Sequence, residues 1–368
     1  MTEPVLVRWG VRYFRALSRK MGPVDVGDGV HFLNPDERAA LRRIERGAIM
    51  RAAVAGGVST IVSATAEVLV GADAPFLRFW GVVIGATVVA STFEILYLYW
   101  DGLRAVHDLS RAAGLDLFPN EDDDSALAGA MARAALELPN PTGPRLGVDP
   151  FREASRLRIV FASIVYKLKI SVTNFAVKML VRRMLGRAFV RAWLPFVAVP
   201  LTAAWNGVVC WLIIREARIR AMGPSAAQEM VGIVYGDRAA DDETRRCAVR
   251  AVASCIVRTE DMHPNLAAVL REVIARAPES DVDGSTDLDA TDVFLAALAK
   301  LTPDAQRFVL RVLAVASIID GRLTRREKAL LDESHNVCKM QLDLARVEKL
   351  RRAFLDGDPI ERERIETL

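Results

Sequence analysis

Glu67, Glu94 and Asn206 are strongly polar residues set inside otherwise apolar runs. A carboxylate at membrane depth costs roughly 3 kcal/mol even on insertion scales, so each acid must face another helix or a wet cavity. Two chemistries are open to the acids. They could form a proton or cation site, or each could accept a hydrogen bond from Ser63 or Ser91 and so hold two helices together. A second group of acids lies near the C-terminus, where Asp320 and Glu327 flank the Gly321 turn and Asp237 follows Gly236 in a similar stretch. Asp320, Glu327 and Asp237 could hold a divalent cation. The plainer alternative is that Asp320 caps its turn while Glu327 closes a capping box with Thr324. An EF-hand is excluded, because setting Gly321 at the loop's invariant glycine puts Ala316 and Ile318 at ligand positions.

Other reactive residue types are scattered. Cys210, Cys247, Cys255 and Cys338 show no CxxC spacing, and His31, His107, His263 and His335 have no ligand spacing with one another. The sequence has no P-loop, GxSxG or HExxH. The expectation is a non-enzymatic protein without a cofactor, whose cysteines act as small hydrophobes in a reducing compartment.

The elements that must position these residues read as all-α. Hydrophobic residues make up 52% of the chain and charged residues 26%, and the two are segregated. Residues 151–222 carry 13 Lys and Arg against 2 Asp and Glu, whereas residues 223–368 carry 21 against 26. Basic charge beside apolar surface points to anionic lipid headgroups as partners and away from nucleic acid. Residues 1–45 form a basic amphipathic region, in which Val5, Trp9 and Leu17 lie near one helical face. That face suits a membrane surface or packing on the protein's own body. Residues 46–112 hold a hydrophobic hairpin, Ala52–Leu77 and Phe79–Trp100, broken by a turn at Gly71–Pro75. Gly81 and Gly85 form a GxxxG, and Ala55, Ser59 and Ser63 recur every four residues, a spacing that allows close helix approach.

Residues 113–150 read as an acidic, proline-rich linker with a short helix at Ala126–Leu138. In residues 151–222 an amphipathic helix over 157–184 precedes the uncharged stretch Ala192–Ile214, which Pro195 and Pro200 should kink or break. Arg182, Arg183, Arg187 and Arg191 flank that stretch on one side and Arg215 and Arg218 on the other, all expected to contact lipid. The positive-inside rule favours a kinked, re-entrant hairpin over 157–220, with both basic flanks on one side. Residues 223–368 then read as a soluble bundle with helices near 225–235, 242–258, 265–277, 289–300, 304–319, 324–338 and 342–355.

Two resemblances follow from these residues. The stretch GRAFVRAWLPFVAVPLTAAWNGVVCWLIIREARIRAM, with Pro195, Ala198, Asn206, Arg215 and Arg218, resembles the C-terminal part of the EcsC family. The stretch VLRVLAVASIIDGRLTRREKALLDE, with Asp320, Gly321, Leu323, Thr324 and Glu327, resembles the tellurite-resistance TerB-like helical domain, and VGIVYGDRAADDE looks like a weaker copy of it. Together they imply a bacterial, membrane-linked protein with a cytoplasmic module tied to stress and an acidic surface able to bind metal. The expected role is a scaffold at the cytoplasmic membrane, with the N-terminus and C-terminal domain in the cytoplasm and that domain recruiting a protein partner. The alternative is a small transport or ion-leak protein using Glu67, Glu94 and Asn206.

Overall fold

The computed structural model describes residues 4–22, 33–71, 74–118, 126–141, 143–153, 194–236, 240–277 and 288–368. Among them are twelve α-helices and no strand. In chain order these are α1 (Val5–Met21), α2 (Pro35–Val70), α3 (Phe76–Ala112), α4 (Ala126–Ala135), α5 (Leu194–Tyr235) and α6 (Asp242–Thr259). Then follow α7 (Pro264–Ile274), α8 (Thr291–Leu298), α9 (Pro303–Ile318), α10 (Arg325–Val337), α11 (Leu344–Asp356) and α12 (Arg362–Glu366).

Local chemistry sets many of the ends. Asn34 and Glu37 make a reciprocal capping box at the start of α2, with Pro35 in its first turn. Gly71 ends that helix with φ at 77°, a conformation that only glycine adopts without strain. The C-terminal helices lie close to where hydrophobic periodicity puts them, and the expected capping box of Thr324 and Glu327 opens α10.

The long helices depart from expectation in one respect. α5 runs for 42 residues without a break, although Pro200 and Pro224 lie inside it. The expected helix at 225–235 is its last stretch, so the composition boundary at 222/223 falls within a single helix. The break expected at Pro200 within the hairpin over 157–220 is not seen, since from Leu194 to Arg215 the helix is unbroken and rises about 32 Å. The amphipathic segment 157–184 lies outside the described residues.

α2, α3 and α5 pack as a three-helix bundle. Gly57 of α2 faces Val199 and Ala203 of α5, while Gly207 of α5 faces Ile49 and Ala53 of α2. The two helices are therefore antiparallel, and α5 runs in the same direction as α3. Closest approach occurs at Gly56, where a Cβ would stand 2.5 Å from the Asn206 amide nitrogen and 3.0 Å from the Thr202 carbonyl oxygen. The expected GxxxG contact is absent among the described residues, since nothing lies within 4 Å of a Cβ built on Gly81 or Gly85. Spacing marks glycines that permit close approach, but the facing helix decides which of them are used.

At one end, here the near end, the bundle continues into a larger helical body. The second half of α3 is buried there from Asp101 to Ser110 against α1 and α4. α1 docks through Val7, Gly10 and Phe14 and leaves Val5 and Trp9 on the surface, so packing on the protein's own body uses a different face from the one expected to meet lipid. The body's core takes in Ala217, Ile219 and Met222 of α5 together with α6, α7 and α9.

These contacts predict opposite outcomes for two glycine substitutions. Gly56→Leu should destabilise the detergent-solubilised protein by about 1–3 kcal/mol through overpacking against α5. Gly81→Leu should leave the thermal midpoint unchanged. Equal midpoints for the two variants would contradict the packing described.

Candidate functional site

Several polar groups inside the bundle are paired in rungs between its helices, while the buried Ser59 hydroxyl has no hydrogen-bond partner among the described residues. The hydroxyls of Thr60 and Thr202 lie 2.6 Å apart, and each also reaches a backbone carbonyl of its own helix, Gly56 and Ala198 respectively. One turn further along, the Asn206 amide donates to Glu94 Oε1 at 2.6 Å. At the near end of the seam, Arg51 Nε donates to Asp101 Oδ1 at 2.7 Å. Glu94 and Asn206 are 7% and 5% exposed, so their bond is largely sheltered from solvent. A hydrogen bond to a charged group in such a place is worth more than in water, and leaving either partner alone is costly.

Of the three polar residues singled out in the apolar runs, the structure brings together Glu94 and Asn206. Glu67 sits about 16 Å farther along α2 than Gly56 and does not join them. The serine partners expected for these acids are engaged differently, for Ser63 donates to the Ser59 carbonyl and Glu94 takes its donor from α5. The other side of Glu94 lines a groove of about 510 Å³ between α2 and α3, walled by Met50, Val54, Phe93 and Tyr97.

The second group sits in the near-end body at the turn joining α9 to α10. Asp320 Oδ1 accepts the Arg322 N–H at 2.8 Å, Glu327 Oε2 accepts the Thr324 N–H at 2.7 Å, and the Glu327 N–H is returned to Thr324 Oγ1. Glu327 is fully buried, with Cys255 Sγ 3.9 Å from its Oε1. Burial, then the charge of Asp320, pushes the Glu327 carboxyl up to about 8. Burial also raises Asp320, opposed mainly by His263. Asp237, the third acid of the expected cation site, lies outside the described residues. Among the described residues no group of three His, Cys, Asp or Glu side chains is arranged to hold a metal ion.

Neighbouring residues that sequence reasoning passed over tie the turn to α5. Asn265, fully buried, donates through one amide nitrogen to the carbonyls of Ile219 at 2.9 Å and Ile319 at 2.8 Å. Glu216 accepts from Arg220 at 2.9 Å and lies 3.1 Å from His263 Nε2. A lone asparagine in the apolar run PNLAAVL was the available signal for the first of these.

The basic residues expected at lipid divide. Arg182, Arg183, Arg187 and Arg191 lie outside the described residues. Arg215 stands over the Trp211 ring at 5.8 Å, an arrangement suited to a membrane interface. Arg218 instead donates to the Leu355 carbonyl at 2.7 Å, because α5 has by then entered the near-end body. No family model, no curated protein and no solved structure matches this chain.

Two substitutions test these sites. Asn206→Leu, which strands the Glu94 carboxylate, should cost about 3 kcal/mol of stability in detergent, and the double variant Glu94→Leu/Asn206→Leu should recover most of it. No recovery would show that the two side chains are not coupled. For Glu327, the folded-state value lies above the usual carboxylate range near 4.3, so the folded protein holds an extra proton between that range and about pH 8. Its contribution to stability is complete at low pH and is lost as pH rises through 8. Glu327→Gln should therefore flatten the fall in melting midpoint between pH 5 and 9, and an unchanged slope would refute the assignment.

Proposed function

We propose that the chain is a non-enzymatic membrane scaffold. Its three-helix bundle anchors it in the bilayer, and its near-end helical body recruits a protein partner. The observation that carries the reading is the bundle's exterior. Val58, Val62, Leu69, Leu77, Phe93 and Leu96 are among its exposed large side chains, and all three helices are long and apolar enough to cross a membrane. From Met50 to Val70 the apolar stretch of α2 rises about 31 Å, close to the thickness of a hydrocarbon core. Such a surface has no stable place in water but is ordinary in lipid.

The ends of the belt support the same reading. Trp100 and Trp211 lie beside Arg104 and Arg215 at the near end, with ring-to-guanidinium distances of 5.9 and 5.8 Å. Aromatic rings next to basic groups are typical of the headgroup level. Among the described residues, Arg42, Arg43, Arg46, Arg51, Arg104 and Arg215 gather toward the near end, against Arg78 at the other. That bias supports an orientation with the near end, α1 and the C-terminal body on the cytoplasmic side.

The ion-leak reading draws on the groove beside Glu94. The scaffold reading is better supported, because Asn206 already satisfies that carboxylate and Glu67 is remote from both.

Fractionation and labelling test the proposal together. The protein should stay in the pellet through a carbonate wash and need detergent for release. With Cys338 replaced by Ser, a cysteine at Ala74 in the far turn should react with a membrane-impermeant thiol reagent in intact cells. One at Asp304, on the near-end surface, should react only after lysis. Labelling of Asp304→Cys in intact cells would reverse the orientation, and release by carbonate would overturn the membrane anchor.

A further inference from the structure

A cavity of about 610 Å³ opens in the near-end body between α1, α4, the 139–145 segment, α5 and α7. α1 contributes Arg8, Arg12 and Arg15, whose spacing sets them on one helical face. Arg133, Arg145, Arg220 and Arg271 come from the other four segments. Among the described residues no carboxylate lines the cavity. Arg133 and Arg220 are only 8% and 5% exposed. They are held in place from behind, Arg133 by the Pro139 carbonyl at 2.8 Å and Arg220 by Glu216 and the Ala130 carbonyl. Arg8, Arg12, Arg145 and Arg271 have no ion-pair partner among the described residues.

Arg220 has Glu216 behind it, but gathering Arg8, Arg12, Arg145 and Arg271 on one concave surface is electrostatically unfavourable, and an arriving anion would offset them. Guanidinium is also the side chain best matched to phosphate, through paired N–H donors. The cavity's volume lies within the range of small-molecule sites, and Val7, Val11, Met262, Pro264 and Ala267 give it an apolar wall for a carbon skeleton. We propose that this cavity binds a ligand carrying more than one phosphate group. Two sources share that chemistry. One is the headgroup of a multiply phosphorylated lipid, which the exposed Val5, Leu6 and Trp9 of α1 would meet at the interface. The other is a soluble organic or inorganic polyphosphate. The lipid source rests on the membrane reading above, and the soluble source does not.

The test uses the full chain purified in neutral detergent micelles. Calorimetric titration with pyrophosphate and with ATP forms one arm, and addition of cardiolipin, against phosphatidylcholine as the control, forms the other. Saturable binding in the first arm supports the site with a soluble ligand, and saturable binding confined to cardiolipin supports it with a headgroup. In either case Arg12→Glu/Arg271→Glu should lose affinity by at least about tenfold, from the loss of charge-assisted bonds. Arg325→Glu/Lys349→Glu, which removes equal charge from the exposed faces of α10 and α11, should not. If the first variant fails to fold, Arg12→Gln/Arg271→Gln supplies the same comparison. Absence of saturable binding by every probe, or equal weakening by the two charge-reversed pairs, overturns the proposal. Release by carbonate would remove the anchor while leaving the soluble arm intact.

Discussion

Close approach of α2 and α5 at Gly56 is the contact on which the apolar bundle depends. A polar side chain buried between apolar helices is costly unless it finds a hydrogen-bond partner there. With no Cβ at position 56, the Asn206 amide fits against the α2 backbone and still reaches Glu94 across on α3. The Thr60–Thr202 pair lies on the same contact, one helical turn away. A single small residue thereby lets three helices share one polar seam, while their outer faces remain largely apolar.

α5 carries that arrangement into the rest of the molecule. Its 42 residues rise about 63 Å, long enough to lie in the bundle with one half and in the core of the near-end body with the other. Asn265 clasps the Ile219 carbonyl of this helix and the Ile319 carbonyl of α9, and Gly321 approaches the Ile219 side chain. Arg218 is bound by the end of α11. Motion of α5 in the bundle would therefore be felt at the Asp320–Gly321 turn, where the buried Glu327 sits. The body is not a separate module tethered by a linker, since composition changes at residue 222 while the backbone does not.

Basic residues serve distinct ends according to depth. Near the bundle they sit beside tryptophan or pair with Asp101. Deeper in the body they split between ion pairs, such as Arg258 with Glu333 and Arg326 with Glu260, and the arginine-lined cavity.

Much of the local structure was legible from residue order. Apolar runs of about 20 residues marked the bundle helices, the Gly71–Pro75 turn separated two of them, and Thr324 with Glu327 marked the start of α10, because each signal acts over one or two helical turns. The costs of Glu94 and Asn206 were legible too, since burying a polar group has a cost whatever its partner is. Which partner each would find was not, for these two residues are 112 positions apart and meet only because α3 and α5 run side by side. The same holds for Gly56 over Gly81, for the docking face of α1, and for seven arginines drawn from five segments into one cavity. Sequence alone determined that the chain is helical, that its middle is apolar and that its buried polar groups would need partners. Tertiary structure decided which helices supply them, because those contacts are set by helix direction and register over distances that no local pattern encodes.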